Sequence, residues 1–203
     1  MEFPQFDLSE LTPGTPDSIP VPEGEFWVFA YGSLMWDPGF EYVEARPGQL
    51  YGYHRRLCLW SVRYRGTVDH PGLVLGLDRG GSCLGYVYRV ERKLTADVVD
   101  YLCDRELLIG SYEPRLVPVN LSDGRRISAL TFVCKPDHPH FARRLSMDET
   151  VAVVNAASGA RGCNRSYVIN TVSHMDSMNI RNTELHRVAR RLNKPDSNQR
   201  VKK

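Results

Sequence analysis

Four short stretches of the chain combine a charged or hydroxyl side chain with glycine and an aromatic residue, a mixture typical of ligand pockets. They are YGSLMW at 31–36, HRRLCLWS at 54–61, DRELLIGSY at 104–112 and RGCNRSYV at 161–168. In the third stretch, Glu106 follows an apolar helical face and precedes a turn at Gly110. A carboxyl sheltered in this way can accept a proton and later return it. From spacing alone, the alternative is a solvated helix-end carboxylate paired with Arg105 or Arg115.

The pair Gly32-Ser33 directly follows the apolar segment FWVFAY. Successive backbone N–H groups at a glycine-containing turn can receive an anion, and the Ser33 hydroxyl can add a donor. The simpler interpretation is a plain turn, because glycine reaches backbone angles that other residues avoid.

Three other side chains are weaker candidates for substrate binding. Arg55 can make a two-pronged contact with a carboxylate, or it can point outward from a strand. Tyr112 and Tyr167 can place hydroxyls in a pocket, although a buried tyrosine with a local partner is also common.

Two features that suggest other chemistry are better explained structurally. Cys103 lies near Glu106, but no histidine in the same stretch can activate it, so we expect a small apolar core residue. His138 and His140 form an H-x-H pattern, but no third ligand lies at a spacing typical of a metal site. We therefore expect solvent-facing histidines and no metal site.

The composition excludes several classes of protein. The chain has 203 residues, 42% of them hydrophobic and 25% charged, and a net charge of +2, which predicts a globular protein and gives no electrostatic case for nucleic acid. Its five cysteines are widely spaced without a C-x-x-C pair, which argues against disulfides or zinc and favours the reduced cytoplasm. No apolar run approaches the ~20 residues of a membrane helix, and no secretory leader pattern is present.

Residues 1–25 contain five prolines and predict a flexible arm, and the polar segment 194–203 predicts a frayed tail. Between them, residues 26–193 form the predicted domain. Its first part is rich in β-branched and aromatic residues, with hairpin turns expected at 78–81 and 123–124, so neighbouring strands should be antiparallel.

Helices are predicted between and after the strands. The expected caps are Thr95, Ser146 with Glu149 in a capping box, Asn164, and Asn182 or Thr183. A sheet followed by late helices is the α+β arrangement.

In this order, the four stretches resemble the gamma-glutamylcyclotransferases of the ChaC type, which act on glutathione. The resemblance covers residues 26–180, and its most specific blocks are FAYGSLMW, GTVDHPGLVLGLDRGGSCLGYVYRV and YLCDRELLIGSY. It implies an α+β fold in which a small mixed, mainly antiparallel sheet closes into a partial barrel with flanking helices. It also implies a lyase-type reaction, without metal or cofactor, that degrades glutathione to 5-oxoproline and Cys-Gly.

The resemblance also implies roles for individual residues. Glu106 matches the catalytic glutamate, the loop of Tyr31, Gly32, Ser33 and Leu34 matches the substrate loop, and Asn164 and Tyr167 match an asparagine and a tyrosine near the start of a late helix. The chemistry is compatible with these residues, because the α-amine of the substrate attacks its own γ-carbonyl and the protein need only fold the substrate and move protons.

We therefore expect an enzyme that cleaves glutathione, with a small-molecule substrate as its partner. Two alternatives stay open: the same reaction on another gamma-glutamyl amine or amino acid, and a non-catalytic small-molecule binding protein of the same fold. The sequence does not indicate an oligomeric state.

Overall fold

The computed structural model describes residues 3–7, 9 and 11–194, and its chain divides into two compact units. The first unit comprises the described parts of Met1–Phe3, Trp60–Val74 and Arg144–Lys203, and the second comprises those of Pro4–Leu59 and Leu75–Arg143. Of the predicted tail at 194–203, all but Lys194 lies outside the described residues.

Five strands form a closed barrel, most of whose residues belong to the second unit. They are β1 (Phe26–Ala30), β2 (Glu44–Ser61), β3 (Gly72–Val90), β4 (Tyr112–Leu121) and β5 (Arg126–Cys134), in the spatial order β1-β3-β2-β4-β5. The pairs β1–β3, β2–β4 and β4–β5 are antiparallel, and the parallel pairing of β1 with β5 closes the barrel. The predicted α+β fold with a mixed, mainly antiparallel sheet is confirmed.

The interior of the barrel explains why β1 is so apolar. All five residues of β1 are buried, as its sequence predicts for a strand covered on both faces. The main core cluster consists of Trp27, Phe29, Tyr31, Leu50, Leu77, Cys83, Val87, Val117, Val119, Leu121, Ala129 and Val133. Burying each large apolar side chain contributes about 1.5–3 kcal/mol, so this cluster stabilises the packing of β1 in the barrel.

The predicted hairpin turn at 78–81 is wrong. These residues lie inside the continuous strand β3, where Gly80 and Gly81 have φ angles of +92° and +67°. Glycines with positive φ allow a local distortion within a strand as well as a hairpin turn, so a Gly-Gly pair in the sequence does not distinguish the two. The turn at 123–124 is confirmed, because it joins the antiparallel strands β4 and β5 and Gly124 has a φ of +88°.

Helix α1 (Thr95–Glu106) belongs to the second unit and ends at the candidate proton carrier. Val98, Val99 and Leu102 are buried along one face, as predicted. The predicted capping by Thr95 is wrong, because Thr95 is the first helical residue and Leu94 occupies the cap position without a side-chain hydrogen bond.

From Pro4 onward, the described part of the N-terminal arm belongs to the second unit and packs within it. The N–H of Gly14 donates to the carbonyl of Leu107 at 3.0 Å, and a Cβ at Gly14 would come within 2.9 Å of the Leu107 Cβ. Phe6 and Ile19 are buried. Composition does not indicate this packing, because the two anchors are isolated between prolines; the domain boundary at residue 25 stays a prediction.

The first unit contains three helices: α2 (Met147–Ala156), α3 (Asn164–Ser177) and α4 (Thr183–Leu192), which pack against one another. The short strands β6 (Ser158–Gly159) and β7 (Gly162–Cys163) connect α2 with α3. No helix in the described part of the chain is long and apolar enough to cross a membrane.

Two of the three predicted helix caps in this unit are confirmed. Ser146 and Glu149 form the capping box of α2, and the Asn182 side chain accepts a hydrogen bond from the N–H of Leu185 at 3.0 Å. The cap expected at Asn164 is wrong, because Asn164 is already the first residue of α3 and its side chain is used elsewhere.

Candidate active site

Glu106 is a sheltered carboxyl group at the end of α1. Its side chain is only 16% exposed, and burial raises its pKa to about 7, although the neighbouring Arg105 acts in the opposite direction. The Arg105 Nε lies 3.4 Å from the Glu106 Oε1, whereas Arg115 pairs with Glu113 at 2.8 Å. Glu106 is thus paired with Arg105 as the alternative interpretation expects, but it is not solvated.

Tyr31 ends the apolar strand segment and reaches the neighbourhood of Glu106. It is buried, and its hydroxyl donates to the Phe132 carbonyl at 2.9 Å. Burial, followed by electrostatic interactions with Tyr112, Cys134 and Glu106, raises its pKa well above the usual value of 10. Tyr31, Tyr112 and Glu106 are therefore neighbours.

Tyr112 begins β4, after the turn that follows α1. It is half-buried, and its hydroxyl donates to the Leu75 carbonyl at 2.8 Å. A tyrosine with a backbone partner is thus observed, and contact with a substrate stays a prediction.

The loop after β1 forms a single turn of 3-10 helix at Ser33–Met35. Gly32 precedes it with a φ of −124°, so a left-handed backbone is not the reason for glycine here. In the described part of the chain, apart from Gly32 and its two neighbours in sequence, no atom lies within 4 Å of the position that a Gly32 Cβ would take. The first N–H groups of a helical turn have no acceptor within it, and Ser33 is exposed. The loop combines open space with available donors.

Arg55, on β2, holds this loop from inside the barrel. It is only 3% exposed; its Nε donates to the Tyr31 carbonyl and its Nη2 donates to the Leu84 carbonyl at 2.9 Å. The interpretation of Arg55 as an outward-pointing strand residue is therefore wrong. Contact of Arg55 with a substrate carboxylate stays a prediction, and the observed contacts fix the backbone where the loop begins.

Asn164 and Tyr167 lie in the first unit, whereas the other seven predicted site residues lie in the second. Asn164 is completely buried: its Oδ1 accepts from the Leu73 N–H and its Nδ2 donates to the Leu73 carbonyl, both at 2.7 Å. Its side-chain amide thus pairs with both backbone groups of Leu73, as the backbone of an adjacent β-strand would. Tyr167 is half-buried, with the Arg65 Cζ 5.2 Å from its ring centroid. Their substrate contacts stay predictions.

The other reactive side chains have structural surroundings. The Cys103 Sγ donates to the Gly14 carbonyl at 3.4 Å, and burial raises the pKa of its thiol. The expected solvent exposure of the two histidines is wrong: His140 is 1% exposed, and half-buried His138 contacts the Ile109 carbonyl through Nε2. Among the described residues, no group of three or more His, Cys, Asp or Glu side chains is arranged to hold a metal.

Arg105 makes more contacts near the site than the amino-acid sequence indicates. The Arg105 Nη2 donates to the Ser33 Oγ at 3.0 Å, across 72 positions of sequence. From the sequence, Arg105 is only a partner for Glu106; a contact between distant positions has no signal in a single sequence.

Residues 26–194 match the model of the ChaC-like protein family. The chain is 34% identical over 164 residues to the glutathione-specific gamma-glutamylcyclotransferase of Escherichia coli (strain K12), covering 81% of this chain and 71% of that protein. It is 30% identical over 178 residues to the human glutathione-specific gamma-glutamylcyclotransferase 1, covering 81% of this chain and 80% of that protein.

The fold is also shared with a solved structure. The crystal structure of a selenomethionine-labelled gamma-glutamyl cyclotransferase specific to glutathione from yeast matches with a TM-score of 0.75 and 23% identity, over 83% of this chain and 96% of that one. The family match spans the barrel strands, α1 and the three later helices. The chain belongs to the ChaC-like family.

Proposed function

We propose that the protein is a gamma-glutamylcyclotransferase that cleaves glutathione to 5-oxoproline and Cys-Gly. The observation that carries the proposal is the sheltered carboxyl group of Glu106: burial raises its pKa to about 7, and it interacts electrostatically with Tyr31, where the candidate substrate loop begins. The names of the E. coli and human relatives support glutathione as the substrate.

The reaction needs one proton carrier and no nucleophilic side chain. The Glu106 carboxylate takes a proton from the α-ammonium group of the substrate, and the freed amine attacks the γ-carbonyl carbon. The new C–N bond closes a five-membered ring and leaves a tetrahedral oxyanion. Glu106 then donates this proton to the cysteine nitrogen as the old C–N bond breaks. The second proton of the ring nitrogen passes through the same carboxylate to the freed amine of Cys-Gly, so Glu106 ends as it began.

The loop of Tyr31, Gly32, Ser33 and Leu34 holds the substrate in this scheme. Its backbone N–H groups and the Ser33 hydroxyl receive the α-carboxylate and the oxyanion, and the open space at Gly32 lets the substrate approach the backbone. Because nucleophile and electrophile belong to one molecule, holding the folded conformer can supply about 7–11 kcal/mol of the barrier reduction.

The same proposal places the reaction in the cytoplasm. Glutathione and the five cysteines of this chain are kept reduced in that compartment.

The test is the release of 5-oxoproline from glutathione by the purified wild type and by Glu106→Gln. We expect release by the wild type and none by the variant, which keeps the side-chain shape but cannot carry the proton. Glu113→Gln is the matched control, because Glu113 is also paired with an arginine but its side chain is 44% exposed. It should retain activity.

Circular dichroism and calorimetric titration with glutathione establish that Glu106→Gln is folded and still binds. Turnover by a folded Glu106→Gln protein would contradict the role of Glu106. If the wild type releases no 5-oxoproline from glutathione, gamma-glutamyl amino acids and gamma-glutamyl amines are tried next. Binding of these compounds without turnover would identify a binding protein instead.

A further inference from the structure

Arg105 has several partners, and the proposed reaction does not use it. Its side chain is 21% exposed, at the last turn of α1. The Nε faces the Glu106 carboxylate at 3.4 Å, the Nη1 donates to the Asp37 carbonyl at 2.9 Å and to the Tyr101 hydroxyl, and the Nη2 donates to the Ser33 hydroxyl at 3.0 Å. One guanidinium group thus touches both the proposed proton carrier and the proposed substrate loop.

The contact between Arg105 and Glu106 is not an ordinary ion pair of a helix surface. Adjacent helical residues point about 100° apart, and pairs on a helix surface form between residues three or four positions apart. The guanidinium reaches the carboxylate of its neighbour while its other nitrogens are fixed on the loop.

The chain that follows the substrate loop also packs against α1. Gly39 has a φ of +74°, and a Cβ there would come within 1.9 Å of the Tyr101 hydroxyl oxygen. Tyr101 also places its ring 5.8 Å from the Arg105 Cζ. Ser33, Asp37 and Gly39 therefore lie close to the end of α1, where the side chains of Arg105 and Tyr101 contact them.

We propose that Arg105 is a positioning residue that sets the distance between the substrate loop and the carboxylate of Glu106. This inference rests on the proposed function of Glu106 and of the loop. The role requires arginine, because a planar guanidinium directs its donors along fixed, divergent directions and a lysine ammonium cannot serve all these partners at once.

Two separate effects follow when Arg105 is replaced. The positive charge beside Glu106 favours the carboxylate, so its loss raises the pKa of Glu106 further above its ordinary value. The loss of the contacts with Ser33 and Asp37 frees the loop, so substrate binding weakens.

Arg105 is the charged group that accounts for the first effect. Burial and Arg105 are the causes that act on the pKa of Glu106, and Tyr31, which Tyr112 and Cys134 also affect, interacts electrostatically with the Glu106 carboxylate. Burial raises the pKa of Tyr31, and the contact with Cys58 followed by burial raises the pKa of Cys134, so both side chains stay neutral between pH 5 and 8.

The experiment compares Arg105→Gln and Arg105→Lys with the wild type in the pH dependence of kcat/KM and in KM for glutathione. We expect Arg105→Gln to shift the acid limb to higher pH and to raise KM by roughly three- to tenfold, the equivalent of about one hydrogen bond. Arg105→Lys should leave the acid limb closer to that of the wild type, because lysine keeps the positive charge. It should raise KM similarly, because lysine lacks the planar guanidinium with its divergent donors.

Arg187→Gln is the matched control, since Arg187 is an exposed arginine on another helix. It should change neither quantity. A lower melting temperature of the Arg105 variants with an unchanged acid limb and unchanged KM would reduce Arg105 to a structural residue and overturn the proposal.

A second measurement does not depend on turnover. In the folded wild type and Arg105→Gln, the ¹³C chemical shift of the Glu106 carboxyl group is titrated by NMR, and the variant should titrate at higher pH. If the wild type is inactive, the proposed function is wrong. If the titration curves of the wild type and Arg105→Gln are equal, the proposed role of Arg105 is wrong. If Arg105→Gln does not fold, KM for glutathione in Arg105→Lys and in Tyr101→Phe, which removes one partner of the guanidinium, provides the test, and an unchanged KM in both variants would overturn the proposal. Tyr101→Phe should raise KM and leave the titration in place.

Discussion

Glu106 and Tyr31 come from different elements of the second unit, yet the charge of Glu106 helps to raise the pKa of the Tyr31 hydroxyl. Tyr31 is fixed by the barrel core and by its bond to the Phe132 carbonyl, and Glu106 is fixed by the end of α1. The proposed proton carrier and the first residue of the proposed substrate loop are therefore held by two rigid elements, which is what orienting an intramolecular reaction requires.

The pH dependence of the reaction is the first prediction. Glu106 must be ionised to accept a proton, and its pKa is raised to about 7 by burial. We expect kcat/KM to fall below pH 7, with an acid limb at about that value. The measurement is the initial rate of 5-oxoproline release from pH 5 to pH 9. A rate that stays level down to pH 5 would mean that Glu106 behaves as an ordinary glutamate.

The stability of Glu106→Gln should also depend on pH. Because the pKa of Glu106 is higher in the folded than in the unfolded chain, its ionisation opposes folding: the cost is absent below about pH 4.5, grows as pH rises, and is complete above about pH 7. The variant should therefore gain about 1–3 kcal/mol in free energy of unfolding over the wild type at pH 8 and little at pH 4.5. Urea unfolding at the two pH values measures it; a gain that shrinks with rising pH has the wrong sign.

Gly32→Ala separates a substrate loop from a plain turn. The backbone at Gly32 has negative φ and a Cβ there meets open space, so the free energy of unfolding should change by less than about 0.5 kcal/mol. The added methyl group would nevertheless stand where the substrate approaches, so kcat/KM should fall roughly tenfold or more. Unchanged activity would favour the plain turn.

The matched control for this variant is Gly39→Ala. Gly39 has a φ of +74° and no room for a Cβ beside Tyr101, so alanine should lower the free energy of unfolding by about 1–3 kcal/mol. Comparing the two glycines distinguishes a methyl group that the fold tolerates from one that it does not.

Arg55 should act mainly on stability. Arg55→Met leaves the carbonyls of Tyr31 and Leu84 without their donors inside the barrel, so we expect a loss of about 2–4 kcal/mol in free energy of unfolding. The exposed residue Arg79 offers the control variant Arg79→Met on the neighbouring strand. An effect of Arg55→Met on KM alone, at wild-type stability, would identify Arg55 as a substrate contact rather than a support of the loop.

Local patterns were enough to predict much of the fold. The apolar residues of β1, the capping box at Ser146 and the turn at Asp123-Gly124 each depend on neighbours in sequence, and each is observed. The error at Gly80-Gly81 has a physical reason: a pair of glycines with positive φ serves a hairpin and an irregular strand equally well.

The sequence indicates candidate site residues by their types but not the contacts that they make. The raised pKa of Glu106 agrees with its place behind an apolar helical face. In contrast, the bonds from Arg105 to Ser33 and from Arg55 to Tyr31 join residues that are far apart in sequence, and only the folded barrel brings them together.

Asn164 gives the final prediction, because its buried amide satisfies both backbone groups of Leu73. Asn164→Ala removes both bonds, and its loss of stability should not depend on pH. Asn164→Asp still accepts from the Leu73 N–H but sets a second oxygen against the Leu73 carbonyl, in a place where burial opposes a charge. Its loss should therefore grow between pH 5 and pH 8 and reach about 3–5 kcal/mol. Urea unfolding of both variants at the two pH values makes the comparison. If both variants were as stable as the wild type and differed only in KM, Asn164 would be a substrate contact, and the support of Leu73 would be incidental.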